Sequence, residues 1–154
     1  MDGNRRLISH AYLFFHFSIT YTIQYNHFRH QGWNDGCDVN MTAEYEYNMA
    51  NFIRDVRQDL NTLNLPFVIG VSGFSGWNQT NPRRLSIINA QLAMGNYSKY
   101  PEFEGNVKVV ETRDYWRESP PHSPGGQEYH WNNNCESYWL IGKEIAMSML
   151  QLLI

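Results

Sequence analysis

The chain has 154 residues, 42% of them apolar and 18% charged, with a formal net charge of −3. That is enough chain to bury a core without disulfides or a metal, and it is too apolar for an intrinsically disordered segment. Twelve Lys plus Arg stand scattered against fifteen Asp plus Glu, which excludes the basic stripe that nucleic acid requires. Aromatic residues make up 15% of the chain, ten of them Tyr and five Trp, accompanied by sixteen Asn. Aromatic faces beside amides suit sugar recognition, and they equally suit a core of large side chains.

Arg5 and Arg6 precede an apolar stretch, Leu7 to Tyr25, that has the outline of a signal peptide or membrane anchor. His10, His16, Thr20 and Gln24 interrupt it before it reaches spanning length, and no small-x-small cleavage site follows, so a buried strand or core segment is expected and no membrane. After the turn-rich patch 32–38, apolar residues recur at Tyr45, Met49, Phe52, Ile53, Val56, Leu60 and Leu63. This is helical spacing, with Thr42 as its expected cap. Phe67 to Val71 reads as a buried strand running into the loop SGFSGW. A second helix is expected from about Arg83 to a Gly95-Asn96 stop, and a strand over Val107 to Thr112. Past a Pro/Gly-rich excursion, a last helix runs from about Asn134 to Leu152 with Tyr138, Ile141, Ile145, Met149 and Leu152 on its apolar face. Strands alternating with helices predict an α/β fold with a parallel sheet.

Ligands of open parallel sheets bind beyond the carboxyl ends of the strands. The loops expected there are HQGWND (30–35), SGFSGWNQ (72–79) and the long passage 111–134, each with a Trp and polar side chains, and their convergence at one edge is expected. His130, between a Gly-rich turn and the last helix, is a candidate general base, or else a surface histidine. Asn34 lies in a tight turn where its amide could donate to an oxyanion. Ser72 and Ser75 miss the G-x-S-x-G elbow by one position, so SGFSGW reads as a flexible wall of the cleft. No metal is expected, since His27 and His30 have no third ligand nearby, and no cofactor, since neither glycine-rich phosphate fingerprint occurs. Cys37 and Cys135 are expected as two free or buried thiols, a single bridge being the other option.

Taken in order, HQGWND, LPFVIGVSGFSGW, VVETRDYWRE and YHWNNNCESYWLIGKEIAMSML resemble the carbohydrate-esterase branch of the SGNH hydrolases, the sialate O-acetylesterase-like domain. The resemblance implies a flavodoxin-like three-layer α/β/α sandwich that removes acetyl groups from sugar hydroxyls with a Ser-His-Asp arrangement and an oxyanion hole. It makes Asn34 the oxyanion donor, Gly32 the residue allowing close backbone approach and His130 the base. Gln31, Trp33, Trp77 and Trp131 then line the acyl or sugar site, and an acetylated carbohydrate is the partner. Two departures stand out. The family's Asp three residues before the His is Gln127 here, leaving Glu128, a more remote acid such as Asp114, or a dyad. The Gly-Asp-Ser turn of the family's nucleophile does not occur. Residues 28–154 therefore read as the C-terminal part of such a domain, without its serine, and residues 1–27 fit poorly. A non-catalytic carbohydrate-binding module and a gene fragment are the alternative readings.

Overall fold

The computed structural model describes residues 27–154. The apolar stretch 7–25 lies outside the described residues, and the strand that leads into GWND is His27–His30, β1. With β2 (Phe67–Gly70) and β3 (Val107–Val110) it forms a parallel sheet in the order β1-β2-β3. The register aligns His30 with Gly70 and Gly70 with Val110, so the three strands end at one level and their following loops leave from one edge.

Three helices flank the sheet: α1 (Val39–Asp59), α2 (Pro82–Ala93) and α3 (Cys135–Leu153). Alternation along β2 decides the layering, because successive side chains of a strand point to opposite faces. Phe67 and Ile69 pack with Tyr45, Met49 and Ile53 of α1 and Ile87 and Ala90 of α2. Val68 packs on the other face with Ile141 and Ile145 of α3 and with Val110 of β3. A central strand covered on both faces has no use for alternating polarity, and all four β2 residues are buried. The result is the α/β/α layering expected of the sequence.

The helix caps refine the expected boundaries. Asp38, not Thr42, caps α1, its carboxylate accepting the Asn40 and Met41 N–H groups at 2.8 and 2.9 Å. The Thr42 hydroxyl instead donates to the Asp35 and Asp38 carbonyls and so ties the helix start to the preceding turn. The helix stops at Asp59, short of the expected Leu63, where Asn61 turns left-handed at φ 50° and leaves Leu63 76% exposed. Asn81 caps α2 ahead of Pro82, and Asn134 caps α3. On α3, Ile141 and Ile145 are buried and Met149 and Leu152 partly so, whereas Tyr138 faces solvent. Both cysteines are free and exposed, so neither the buried thiol nor the bridge is realised.

At the opposite end of the sheet Arg57 is buried, and its guanidinium donates to the Leu65 carbonyl at 3.1 and 2.9 Å and to the Asn106 side chain at 2.5 Å. It thereby joins the turns entering β2 and β3 through charge-assisted bonds.

His27, at the start of β1, packs against Phe52 and Phe67, and burial together with the Arg29 charge lowers its pKa to about 4. His30 is also lowered, by burial, with the Gly70 carbonyl opposing. Both are neutral in the fold and take up protons near pH 6.5 in the unfolded chain. Stability is therefore complete above pH 6.5 and falls as the pH drops toward about 4 for His27. From His27 alone, urea unfolding at pH 5.5 is expected to give about 1 kcal/mol less than at pH 7.5, before the carboxylates titrate, and His30 adds to the difference in the same direction. His27→Phe should shrink that difference, and an unchanged difference in the variant would refute the assignment to His27.

Candidate active site

The turn after β1 is built on a buried polar cluster. The Gln31 carbonyl accepts from Ser72 Oγ at 2.7 Å, Gln91 Nε2 at 2.5 Å and Tyr45 Oη at 3.1 Å. Gln91 reaches it from α2, where it is fully buried on the same face as Ile87 and Ile88, and its Oε1 accepts the Ser72 N–H at 2.7 Å. Burial, against the nearby Arg29 charge, pushes Tyr45 up to about 12, so its hydroxyl remains a donor. Gly32 follows at φ 145°, and a Cβ there would lie 2.6 Å from Ser72 Oγ and 2.7 Å from Ile87 Cγ2. Only glycine fits a turn this close to its support. Asn34 then opens the short 3-10 turn Asp35–Cys37, exposed, its side chain making no hydrogen bond among the described residues. Gln31 itself is partly buried, and its side-chain amide donates to Asp35 while its carbonyl oxygen accepts from Arg29 at 3.3 Å.

The loop after β2 is packed, which corrects the flexible wall expected for SGFSGW. Ser72, Gly73, Phe74 and Gly76 are all buried. A Cβ on Gly73 would meet Thr112 Oγ1 at 2.6 Å and the Trp131 ring at 2.8 Å, so the second loop packs closely on both ends of the third at this residue. Ser72 is 5% exposed and its hydroxyl is committed to Gln31, which leaves it without a nucleophile's access. Trp77 projects from the same loop, 61% exposed, its indole N–H donating to Asp114 at 2.7 Å and one face covered by the Arg113 guanidinium at 3.8 Å.

The loop before α3 carries three successive left-handed residues, Trp131, Asn132 and Asn133, at φ 51°, 51° and 57°. Asn tolerates this region, but a Trp there costs about 1–2 kcal/mol and must be held by its surroundings. The Trp131 indole N–H donates to His30 Nε2 at 3.0 Å, and His30 Nδ1 lies 3.2 Å from the Gly70 carbonyl. One tautomer satisfies both contacts, the neutral ring protonated at Nδ1. Asn132 Nδ2 donates to the Arg117 carbonyl at 3.2 Å and its N–H to the Gln127 carbonyl at 2.9 Å. The loop so held leaves His130 exposed, its ring 4.6 Å from that of Tyr129.

The structure brings the first and third loops together. Trp33 stands 5.6 Å from Tyr129, beside His130, and 5.1 Å from Phe74. Arg84, from the first turn of α2, lies 3.8 Å over Trp33 and pairs with Glu128 at 3.2 Å. Glu128 thus has its partner in Arg84 and not in His130, because its side chain leaves the loop toward α2. Asp114 is bonded to Trp77 and Gln127 to Asn133, so none of the three contacts the His130 imidazole. Trp131, expected to line the site, is 1% exposed and belongs to the core beneath it, against Phe74 and Trp116. Sequence reasoning missed His30, Tyr45, Ser72 and Gln91 as supports and Arg84 as the bridge. For Gln91 the signal existed, a polar residue at helical spacing among Ile87, Ile88 and Met94.

No curated protein and no solved structure matches the chain. One family's sequence model does, described as carbohydrate esterase, sialic acid-specific acetylesterase, over residues 27–151. That span holds all three strands, all but the end of α3, and the two loops that meet around Trp33 and Tyr129. The chain belongs to the carbohydrate esterase family of sialic acid-specific acetylesterases.

Proposed function

We propose that residues 28–154 carry the base and oxyanion half of a carbohydrate acetylesterase site, and that the serine turnover needs is not supplied by this chain. The supporting observation is the meeting of the GWND turn with the YHW loop at the carboxyl edge of the sheet, through Trp33, Tyr129 and the Arg84 bridge. In this reading His130 takes the proton of a serine hydroxyl as it attacks an acetyl carbonyl, then returns it to the sugar oxygen that leaves. The Asn34 amide and the Gly32 N–H receive the charge that develops on the carbonyl oxygen, an effect of about 3–4 kcal/mol per donor. Gln31 and Trp33 flank the acetyl group.

The inactivity of this chain alone rests on two facts, the absence of a Gly-Asp-Ser turn from the sequence and the commitment of Ser72 to Gln31. Purified chain mixed with p-nitrophenyl acetate is expected to give no hydrolysis above buffer. Hydrolysis that disappears in His130→Ala would overturn this and place the nucleophile within the chain.

Trp77 favours a second reading, a carbohydrate-binding module without catalysis. Its ring is fixed at the edge by Asp114 and behind by Arg113, leaving one face open. Binding of an O-acetylated sugar that is lost in Trp77→Ala but kept in Asn34→Ala and His130→Ala would favour the module. Binding weakened by Asn34→Ala would favour the esterase site.

A further inference from the structure

We infer that Gln91 is a positioning residue of this site: by holding the Gln31 carbonyl in the polar cluster it aims the N–H of the buried Gly32 away from that cluster, as a second oxyanion donor beside the Asn34 amide. The inference rests on the esterase reading for the purpose of that N–H, and on geometry alone for its orientation.

A glutamine buried this deeply is costly unless every polar atom is satisfied. Here each atom is, by the Gln31 carbonyl and by the two residues, Ser72 and Tyr45, that also hold it. Gln91 Oε1 takes the Ser72 N–H at 2.7 Å, which fixes the amide's orientation and points Nε2 at the Gln31 carbonyl at 2.5 Å. Nε2 also lies 2.9 Å from Tyr45 Oη and 3.0 Å from Ser72 Oγ, the two hydroxyls that donate to the same carbonyl. Three donors around one oxygen determine the plane of the Gln31–Gly32 peptide. That peptide is trans, so its N–H points opposite to its C=O, away from Gln91. The Gly32 carbonyl is used by the Gly36 N–H at 3.1 Å, whereas the Gly32 N–H has no acceptor among the described residues. Asn34, two residues on, presents an exposed side-chain amide equally without an internal partner. A fixed, unpaired backbone donor beside such an amide is the arrangement that stabilises a developing oxyanion, because its dipole needs no reorganisation.

The test uses the full chain labelled with 15N. Gln91→Glu keeps shape and the acceptor for Ser72, but sets a carboxylate oxygen against the Gln31 carbonyl. The Gly32 amide resonance and its residual dipolar coupling are expected to change, while the Trp131 indole resonance on the far side stays in place. Acetate, titrated as the acyl product, is expected to shift the Gly32 amide and the Asn34 side-chain amide in the native chain, with at least tenfold weaker affinity in Gln91→Glu. Gln91→Met fills the same space without donors and should reproduce the Gly32 change; a native-like Gly32 resonance in Gln91→Met would show a packing role and overturn the inference. If Gln91→Glu does not fold, Ser72→Ala and Tyr45→Phe each remove one donor from the same carbonyl, and an unmoved Gly32 resonance in both is equally fatal. Absence of any acetate effect on the native chain would count against the oxyanion purpose, while the Gly32 coupling in the free protein still decides whether Gln91 orients it.

Discussion

Trp131→Ala is expected to lower the unfolding free energy by about 3–5 kcal/mol, the range for deleting a buried large aromatic side chain. The residue is 1% exposed and its ring lies 5.6 Å from Phe74, 5.8 Å from Trp116 and 5.6 Å from His30. The loop after β2 packs so closely on the ring that a Cβ added to Gly73 would lie 2.8 Å from it, so filling the vacated volume requires that loop to move. The loss has a second part. His30 Nε2 would lose its donor while Nδ1 stays with Gly70, leaving a half-satisfied imidazole. Trp131→Phe separates the two, keeping most of the ring and removing the N–H, and should cost about 1–2 kcal/mol. Urea denaturation of both variants measures the costs, and native-state amide exchange at His130 and Asn132 should quicken in Trp131→Ala. A cost below about 1.5 kcal/mol for Trp131→Ala would mean that the loop stands without its ring.

The same residue shows what a sequence can and cannot reveal about such a site. Helices and strands were legible because their signals are local: the run Phe67 to Val71, the spacing of Ile141 and Ile145, and the Gly95-Asn96 stop just past α2. The gathering of three loops at one edge followed from the parallel order of the strands. Side-chain direction was not local. YHW sets a histidine and a tryptophan side by side, and only the left-handed turn at 131–133 sends one to solvent and the other to the core. The partner of Glu128 was equally hidden, since the choice between His130 and Arg84 depends on where α2 begins relative to the last loop. Thr42 and Asp38 both suit a cap, and the difference lay in which of them the chain leaves extended; Asp38, at φ −118° and ψ 137°, has the cap conformation.

Gly32→Ala is expected to be the most damaging small substitution in the site, costing about 2–6 kcal/mol from two sources that add. A non-glycine residue at φ 145° is strained by about 1–3 kcal/mol. The new methyl group would also sit 2.6 Å from Ser72 Oγ and 2.7 Å from Ile87 Cγ2, and overpacking of this kind costs about 1–3 kcal/mol. Relief by rotating Ser72 would remove a donor from the Gln31 carbonyl, so the clash converts into a loss within the polar cluster. Gly105 supplies the control, because it has φ 75° and nothing within 4 Å of its Cβ position. Gly105→Ala should therefore show strain alone, about 1 kcal/mol. The difference between the two variants in urea unfolding isolates the contact with Ser72 and Ile87, and any movement of the Asn34 side-chain amide resonance in Gly32→Ala reports whether the turn is displaced. Equal costs for the two alanines, with Asn34 unmoved, would mean that the turn yields freely and that its support from α2 does not hold the oxyanion donors in place.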